Sequence, residues 1–175
     1  MPTTETTAAE RPLVAVSLVP GVVLINRGNS LDPNIFPGEG GRIIEQDPRS
    51  LVLHRVDLNQ VHLRQTLEAR GMMLGENRLG TLRSSGICLD AQVLQTILLL
   101  LKRPGFDFSL LPKRWVEAMR RNAVSISFDG TVFQDPYSSG KYVLYLCSLD
   151  GKFLWGRRWL AHSPFFPEFS AVLKN

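Results

Sequence analysis

The feature that most constrains the fold of this chain is a change in the spacing of its apolar residues just after Asn122. Strict alternation between apolar and polar residues begins at residues 124–128 (VSISF), which is the period of a β-strand with one buried face. Two Asp-Gly dipeptides, at residues 129–130 and 150–151, favour two-residue hairpin turns. This pattern predicts a four-stranded antiparallel meander within residues 124–161.

The register of the second predicted hairpin follows from its turn. With Asp150 and Gly151 at the turn positions, alternation assigns every second residue to the same side of the ribbon. One side is predicted to pair Phe153, Trp155, Arg157 and Trp159 with Ser148, Leu146, Leu144 and Tyr142. The other side carries Val143, Tyr145, Cys147, Leu154 and Arg158. Because both sides are mostly apolar, we expect this hairpin to lie at the centre of the fold or beneath a partner.

Three helices are predicted before this change of period, over residues 58–70, 91–103 and 109–121. Asp57 and Asp90 are the expected N-caps of the first two helices. The polar residues of the second helix occupy a narrow arc, so most of this helix is expected to be buried. Leu99 lies inside that arc, which makes it a candidate contact with a partner subunit.

The remaining segments complete the predicted organisation. Short strands are predicted over residues 13–19, 22–25, 42–45 and 50–56, and an irregular segment over residues 71–86. Residues 1–10 are small and polar and are expected to form a disordered tail. Residues 11–175 suit a single domain, with possible sub-units at 11–105 and 106–175. The predicted fold class is α+β, with N-terminal short strands, about three helices and a C-terminal four-stranded antiparallel meander.

Positive charge is concentrated in the second half of the chain, where it alternates with aromatic residues. From Lys102 onward there are eleven Lys and Arg against six Asp and Glu, so the net charge of +4 lies in this half. Cations beside flat rings bind phosphate and stack bases. They also anchor protein interfaces, or simply lie in a core and on a solvated helix face. The candidate partner-binding residues are Trp155, Arg157, Arg158, Trp159, Lys113, Arg114, Arg120, Arg121 and Leu99.

Sequence motifs for catalysis, metals and cofactors are not recognisable. The three histidines and two cysteines lack the spacing of a zinc site, so we expect no metal, no cofactor and no assigned catalytic residue. Residues 37–42 (PGEGGR) do not match a phosphate-binding loop and are expected to be mobile. Cys88 and Cys147 lie in apolar runs, which is typical of buried free thiols. A nuclease site built on Asp129 would need further carboxylates that the later residues do not supply.

Three hypotheses for function remain. The favoured one is a non-catalytic interaction or assembly protein that contacts a protein partner or associates with itself. The alternative is binding of DNA or RNA through the basic, Trp- and Arg-rich C-terminal region, and a second alternative is a small enzyme with no recognisable motif. The chain has neither a basic signal peptide nor an apolar run as long as a membrane span. We therefore expect a cytoplasmic protein with no membrane partner.

Overall fold

A computed structural model describes residues 19–32, 36, 41–65, 67–68, 71–72, 75–102, 111–122, 124–161 and 168–174. Its strands are β1 Val22–Leu24, β2 Arg42–Gln46, β3 Arg55–Asp57, β4 Val61–Gln65, β5 Leu67–Glu68, β6 Gly71–Met72, β7 Ile87–Cys88, β8 Ser125–Gln134, β9 Lys141–Leu149, β10 Lys152–Trp159 and β11 Glu168–Leu173. Its helices are α1 Pro48–Leu51, α2 Gly75–Ser85, α3 Ala91–Leu101 and α4 Lys113–Asn122. Four predictions lie wholly or mostly outside the described residues: the tail 1–10, the strand 13–19, the mobile loop 37–42, and the junction between the possible sub-units at residues 105 and 106.

The main sheet has seven strands in the described part of the chain. The strands follow the order β10–β9–β8–β11–β4, while β2 pairs with the second half of β8 and β7 pairs with the end of β11. Strand β11 is parallel to β8, with Glu168 opposite Ser125, and the other pairings are antiparallel. Two small sheets join β1 to β3 and β5 to β6. Strand β8 is therefore central, because β9 occupies one of its edges and both β11 and β2 share the other.

The predicted α+β fold with a C-terminal four-stranded antiparallel meander is wrong. Of the described residues, 42% lie in strands and 27% in helices, so the sheet dominates, and it is mixed rather than antiparallel. The error begins at Asp129-Gly130, because β8 continues through this dipeptide instead of turning back. The register of β8 against β9 shifts between Phe128 and Phe133, as it does at a bulge. Residues 135–140 make the turn to β9 instead.

Backbone contacts explain why Asp129-Gly130 forms a bulge rather than a hairpin turn. The Gly130 N–H donates to the Leu89 carbonyl at 2.9 Å, and the Gly130 carbonyl accepts from the Asp47 N–H at 2.8 Å. A side chain at position 130 would collide with the carbonyl groups of Cys88 and Leu89. The close approach of two distant segments thus requires a glycine here. These long-range contacts override the local preference for a turn.

Several elements in and around β4 differ from those that the sequence pattern predicts. The predicted helix over residues 58–70 is wrong, since Asp57 accepts a hydrogen bond from the Asn59 N–H at 2.9 Å and closes a turn that leads into β4. Residues 75–85 form α2 instead of the predicted irregular segment. Helix α1 and strand β3 replace the predicted strand over residues 50–56. At the C-terminus, β11 inserts between β8 and β4 and turns a hairpin unit into a mixed sheet.

Some local predictions are confirmed. Helix α3 begins after Asp90, whose carboxylate accepts from the Val93 N–H at 3.0 Å, as expected for an N-cap. The β9–β10 hairpin has the predicted register, with Leu146 opposite Trp155. Gly151 in its turn has a φ of 74°, a conformation that favours glycine. These elements depend on residues close in sequence, so the local pattern is sufficient to predict them.

The main core lies between α3, α4 and one face of the sheet, which we call the inner face. Its sheet residues include Ile126, Phe128, Leu144 and Leu146, all buried. The Trp115 ring of α4 meets Phe128 edge to face, with centroids 6.3 Å apart. Helix α2 covers part of the opposite, outer face, where Leu79 packs with Val132 and Val143. Because β10 is a strand of this sheet, its side chains alternate between the inner and the outer face.

We predict that Gly130→Ala lowers the free energy of unfolding by about 1–3 kcal/mol, because the added methyl group meets backbone atoms that cannot move aside. Gly80→Ala is the matched control. An added Cβ at Gly80, in α2, has no neighbour within 4 Å, so this change should be neutral or stabilise by up to about 1 kcal/mol. Urea denaturation of both variants measures the difference. Equal losses of stability would contradict the role assigned to Gly130.

Candidate functional site

A cleft of about 240 Å³ opens on the inner face beside the main core. Strands β2, β8, β9 and β10 supply most of its lining, and Phe36 contributes from the chain before β2. Its principal apolar and aromatic residues are Phe36, Ile43, Phe133, Tyr142, Leu144 and Trp155. Two charged residues, Asp32 and Arg157, also line it. We call this the aromatic cleft.

The rings of the aromatic cleft pack against one another. Phe36 meets Trp155 edge to face with centroids 5.0 Å apart, and Phe133 stacks on Tyr142 at 5.3 Å. Trp159 contacts Tyr142 at 5.5 Å. Burial raises the pKa of Tyr142, so its hydroxyl stays protonated at neutral pH. Packed rings have little freedom to move, and the walls of the cleft are therefore formed before any ligand binds.

Arg157 gives the aromatic cleft a positive charge. Its guanidinium carbon lies 5.1 Å from the centroid of the Tyr142 ring, a cation–π distance. Its Nη1 lies 4.0 Å from Asp135 Oδ1. The Ser138 hydroxyl and the N–H groups of Ser138 and Tyr137 donate to Asp135, and these hydrogen bonds hold the pKa of Asp135 below its ordinary value. Arg157 is thus held between an aromatic face and an ionised carboxylate.

The structure brings together three of the predicted partner-binding residues. Trp155 and Arg157 line the aromatic cleft, and Trp159 supports it through its contact with Tyr142. Arg158 is not part of the cleft, because neighbouring residues of a strand point to opposite faces. Its side chain lies on the outer face and only 6% of it is exposed. The segment 155–159 therefore divides its basic residues between two different environments.

Lys113, Arg114 and Arg120 of α4 do not line the aromatic cleft. Lys113 is exposed. Arg114 donates to the Asn59 carbonyl at 2.6 Å and to the Val61 carbonyl, which attaches α4 to the turn before β4. Of the other predicted residues, Arg120 is exposed, Leu99 packs half-buried against the main core, and the side chain of Arg121 is outside the described residues. The structure does not gather Lys113, Arg114, Arg120 and Leu99 into one cleft with Trp155 and Arg157.

Sequence reasoning missed the remaining walls of the aromatic cleft. Ile43 and Phe133 are far apart in sequence and meet because β2 pairs with β8, where they lie opposite each other. The sequence did contain a signal for Tyr142, because the predicted register of the hairpin places this residue opposite Trp159. No local pattern identifies Phe36 as part of the site. A cleft assembled from separate segments becomes visible only when the sheet pairings are known.

Four charged side chains are buried together on the outer face. They are Arg78 of α2, Asp129 of β8, Arg158 of β10 and Glu168 of β11, and we call them the buried charge cluster. Arg78 lies 3.2 Å from Asp129 and 3.3 Å from Glu168, measured between the nearest nitrogen and oxygen atoms. Arg158 Nε lies 2.6 Å from Glu168 Oε2. Two positive and two negative charges balance one another, which offsets part of the cost of burying them.

Two serines and an unusual carboxyl group belong to the same cluster. Arg78 Nη2 donates to the hydroxyl oxygens of Ser127 and Ser170, both at 2.6 Å. Burial raises the pKa of Glu168 from its ordinary 4.5 to about 7; the charge of Arg78 opposes this shift and that of Asp129 adds to it. The pKa of Glu168 therefore lies above that of an ordinary carboxyl group, although Glu168 shares the site with two arginines.

The cysteines are both free. Cys88 is buried as predicted, and Cys147 is half-buried. Burial, together with the negative charges of Asp129 and Asp47, raises the pKa of Cys88 to about 12, so Cys88 is a neutral thiol rather than a nucleophilic thiolate.

In the part of the chain that the structure describes, no three His, Cys, Asp or Glu side chains are placed to hold a metal ion. The helices in these same residues are too short or too polar to cross a membrane.

We predict that ionisation of Glu168 makes the protein less stable as the pH rises from about 5 to about 8. The pKa of Glu168 in the folded chain, about 7, exceeds its ordinary 4.5, so the native state holds this proton more firmly than the unfolded chain does. The stabilisation is complete below pH 4.5 and is lost as the pH rises through 7. Glu168→Gln cannot ionise and should lack this decline.

Urea denaturation of wild type and Glu168→Gln across this pH range tests the prediction. The difference between their two slopes isolates Glu168 from the histidines, which are the same in both proteins. Asp47 and Asp135 do not interfere, because their pKa values lie below the ordinary 3.8 and they titrate at lower pH. If the free energy of unfolding changes with pH in the same way in both proteins, the prediction is wrong, because the pKa of Glu168 then does not differ between the folded and the unfolded state in this range.

Comparison with known proteins found no significant match. No protein-family model matches the chain, and no curated protein or solved structure matches it at a significant level.

Proposed function

We propose that this chain is a non-catalytic interaction protein that binds a protein partner by accepting one large apolar side chain into the aromatic cleft. The observation that carries this proposal is the meeting of Tyr142, Trp155 and Arg157 around one preformed cleft. Tyr, Trp and Arg are the residue types most enriched in the hot spots of protein interfaces. Rigid aromatic walls also reduce the conformational entropy that this chain loses on binding.

The size of the cleft favours a side chain over a larger ligand. Sites for small molecules and cofactors usually enclose about 300–1,000 Å³, whereas the aromatic cleft has about 240 Å³. A nucleotide or a drug-sized molecule would exceed this space. One aromatic or branched aliphatic side chain of a partner fits it better and would gain by leaving water for an apolar lining.

The surroundings of the cleft also suit a protein interface. Ile43 lines the cleft and is 40% exposed, and Tyr137, in the turn next to Asp135, is 80% exposed. Arg157 and Asp135 add opposite charges beside these apolar groups. An apolar centre with a polar rim is the usual anatomy of an interface. Exposed apolar groups beside a formed cleft are a common mark of a docking site.

Nucleic-acid binding is the alternative, and the geometry favours it less. A single-strand platform needs flat aromatic faces and phosphate-binding cations on the same side of the protein. Here Arg158 lies on the outer face and pairs with Glu168. Trp155 is covered edge to face by Phe36. The Trp-Arg segment would thus offer one arginine and partly covered rings to a nucleic acid.

Selection of binding peptides from a random displayed library tests the proposal. We expect the enriched peptides to share one aromatic or large aliphatic residue, because the cleft accepts a single anchor. Replacing that anchor with alanine should cost about 2 kcal/mol or more, roughly a 30-fold loss of affinity by calorimetry. Ile43→Arg should cause a similar loss by placing a charged side chain in the cleft.

Val52→Arg is the matched control for this experiment. Val52 is 71% exposed and does not line the cleft, so the same type of substitution should leave peptide affinity unchanged. Equal affinity of wild type and Ile43→Arg would overturn the proposal. So would a failure to select peptides together with tight binding of single-stranded DNA or RNA that weakens steeply with salt and with Arg157→Ala, which would establish the alternative.

A further inference from the structure

Strand β10 connects the aromatic cleft to the buried charge cluster. Arg157 lines the cleft on the inner face, and its immediate neighbour Arg158 lies in the cluster on the outer face. Trp155 and Trp159, on either side of these arginines, both contact rings of the cleft. A displacement of β10 at Arg158 therefore moves residues that shape the cleft.

Arg158 depends on Glu168 more than Arg78 does. Arg78 contacts Asp129, Ser127 and Ser170 as well as Glu168. Within the described residues, the carboxylate in ion-pair contact with Arg158 is that of Glu168, and Arg158 Nη1 has no hydrogen-bond partner. Loss of the negative charge on Glu168 would leave Arg78 held by its other partners.

The same loss would remove the carboxylate that Arg158 contacts. Such a state is unfavourable, because the buried guanidinium has given up its hydration and would no longer have its paired anion. The side chain would then have to move toward solvent, and β10 would have to adjust with it. A second arrangement of this ion pair would therefore differ from the present one in the position of β10.

The groups that face Glu168 come from four elements. Helix α2 contributes Arg78, β10 contributes Arg158, and β8 contributes Asp129 and the Ser125 hydroxyl. Strand β9 contributes Tyr145, whose pKa is raised by burial and also by the charges of Cys147 and Glu168. Within the described residues, Glu168 therefore has two cations and one carboxylate around it.

We propose that Glu168 is a positioning residue for the aromatic cleft: its carboxylate holds Arg158 on the outer face, and its protonation releases Arg158 and shifts Trp155 and Arg157 on the inner face. This inference rests on the proposed function only where it concerns partner binding, which should weaken below neutral pH. The pKa of about 7 places the change in the neutral range.

Fluorine NMR of the protein labelled with 5-fluorotryptophan tests the positioning role without any ligand. The chain has three tryptophans. The resonances of Trp155 and Trp159 should titrate together with a midpoint near 7, while Trp115, buried in the main core against Phe128, should not follow them. Glu168→Gln should abolish the titration, and Glu168→Asp, which retains an ionisable group, should restore a titration.

Carboxyl carbon shifts of wild-type protein labelled at glutamate provide a second measurement that does not require a variant to fold. The Glu168 carbon should titrate with the same midpoint as Trp155 and Trp159. Constant tryptophan resonances, a midpoint that differs from that of Glu168, or an unchanged titration in Glu168→Gln would each overturn the positioning role.

The pH dependence of affinity for a selected peptide separates this inference from the proposed function. Affinity that falls several-fold below neutral pH in wild type, but not in Glu168→Gln, supports both. Peptide binding without titration of Trp155 and Trp159 overturns the positioning role and leaves the proposed function intact. Titration of these tryptophans in a protein for which no peptide can be selected supports the positioning role and counts against the proposed function.

Discussion

The close backbone contacts at Gly130 are the constraint on which the rest of the structure depends. Gly130 ties the central strand β8 to Leu89, just before α3, and to Asp47, just before α1. The adjacent Thr131 hydroxyl accepts from the N–H of Ala91, the first residue of α3, at 3.1 Å. These bonds fix the start of α3 against β8, and the bulge lets one edge of β8 serve both β11 and β2. The pairing with β2 then brings one wall to the aromatic cleft.

The two faces of β10 separate two kinds of chemistry that are adjacent in sequence. Arg157 lies on the inner face, stacked on Tyr142, while Arg158 lies on the outer face with Glu168. Both arginines are held by specific partners rather than presented as one positive surface. The basic charge of this segment therefore supports an aromatic cleft on one side and a buried ion-pair network on the other. This separation is the reason that we propose a protein ligand rather than a phosphate backbone.

Local patterns in the sequence predicted the elements whose stability depends on near neighbours. The N-cap of α3 at Asp90 and the register of β9 against β10 follow from contacts within a few residues. The Asp129-Gly130 dipeptide was predicted to form a hairpin turn, but it forms a bulge. The dipeptide is compatible with a turn and with a bulge, and its hydrogen bonds to distant segments favour the bulge. Trp155 and Arg157 lie in a hairpin that the local pattern predicts, and they were identified as candidate site residues. Phe36 and the β2 wall reach the cleft only through distant contacts, and they were not identified.

The amino-acid order alone established that this chain has a C-terminal hairpin with most of its aromatic residues on one face and a buried helix capped at Asp90. Alternation and capping are enforced by neighbouring peptide units, so they can be read without knowledge of the fold. The arrangement of β2, β8 and β11 was settled by three-dimensional packing, and so were the aromatic cleft and the burial of Arg158 with Glu168. Each of these requires backbone or charge contacts between residues far apart in the chain, and many alternative pairings would satisfy the same local pattern.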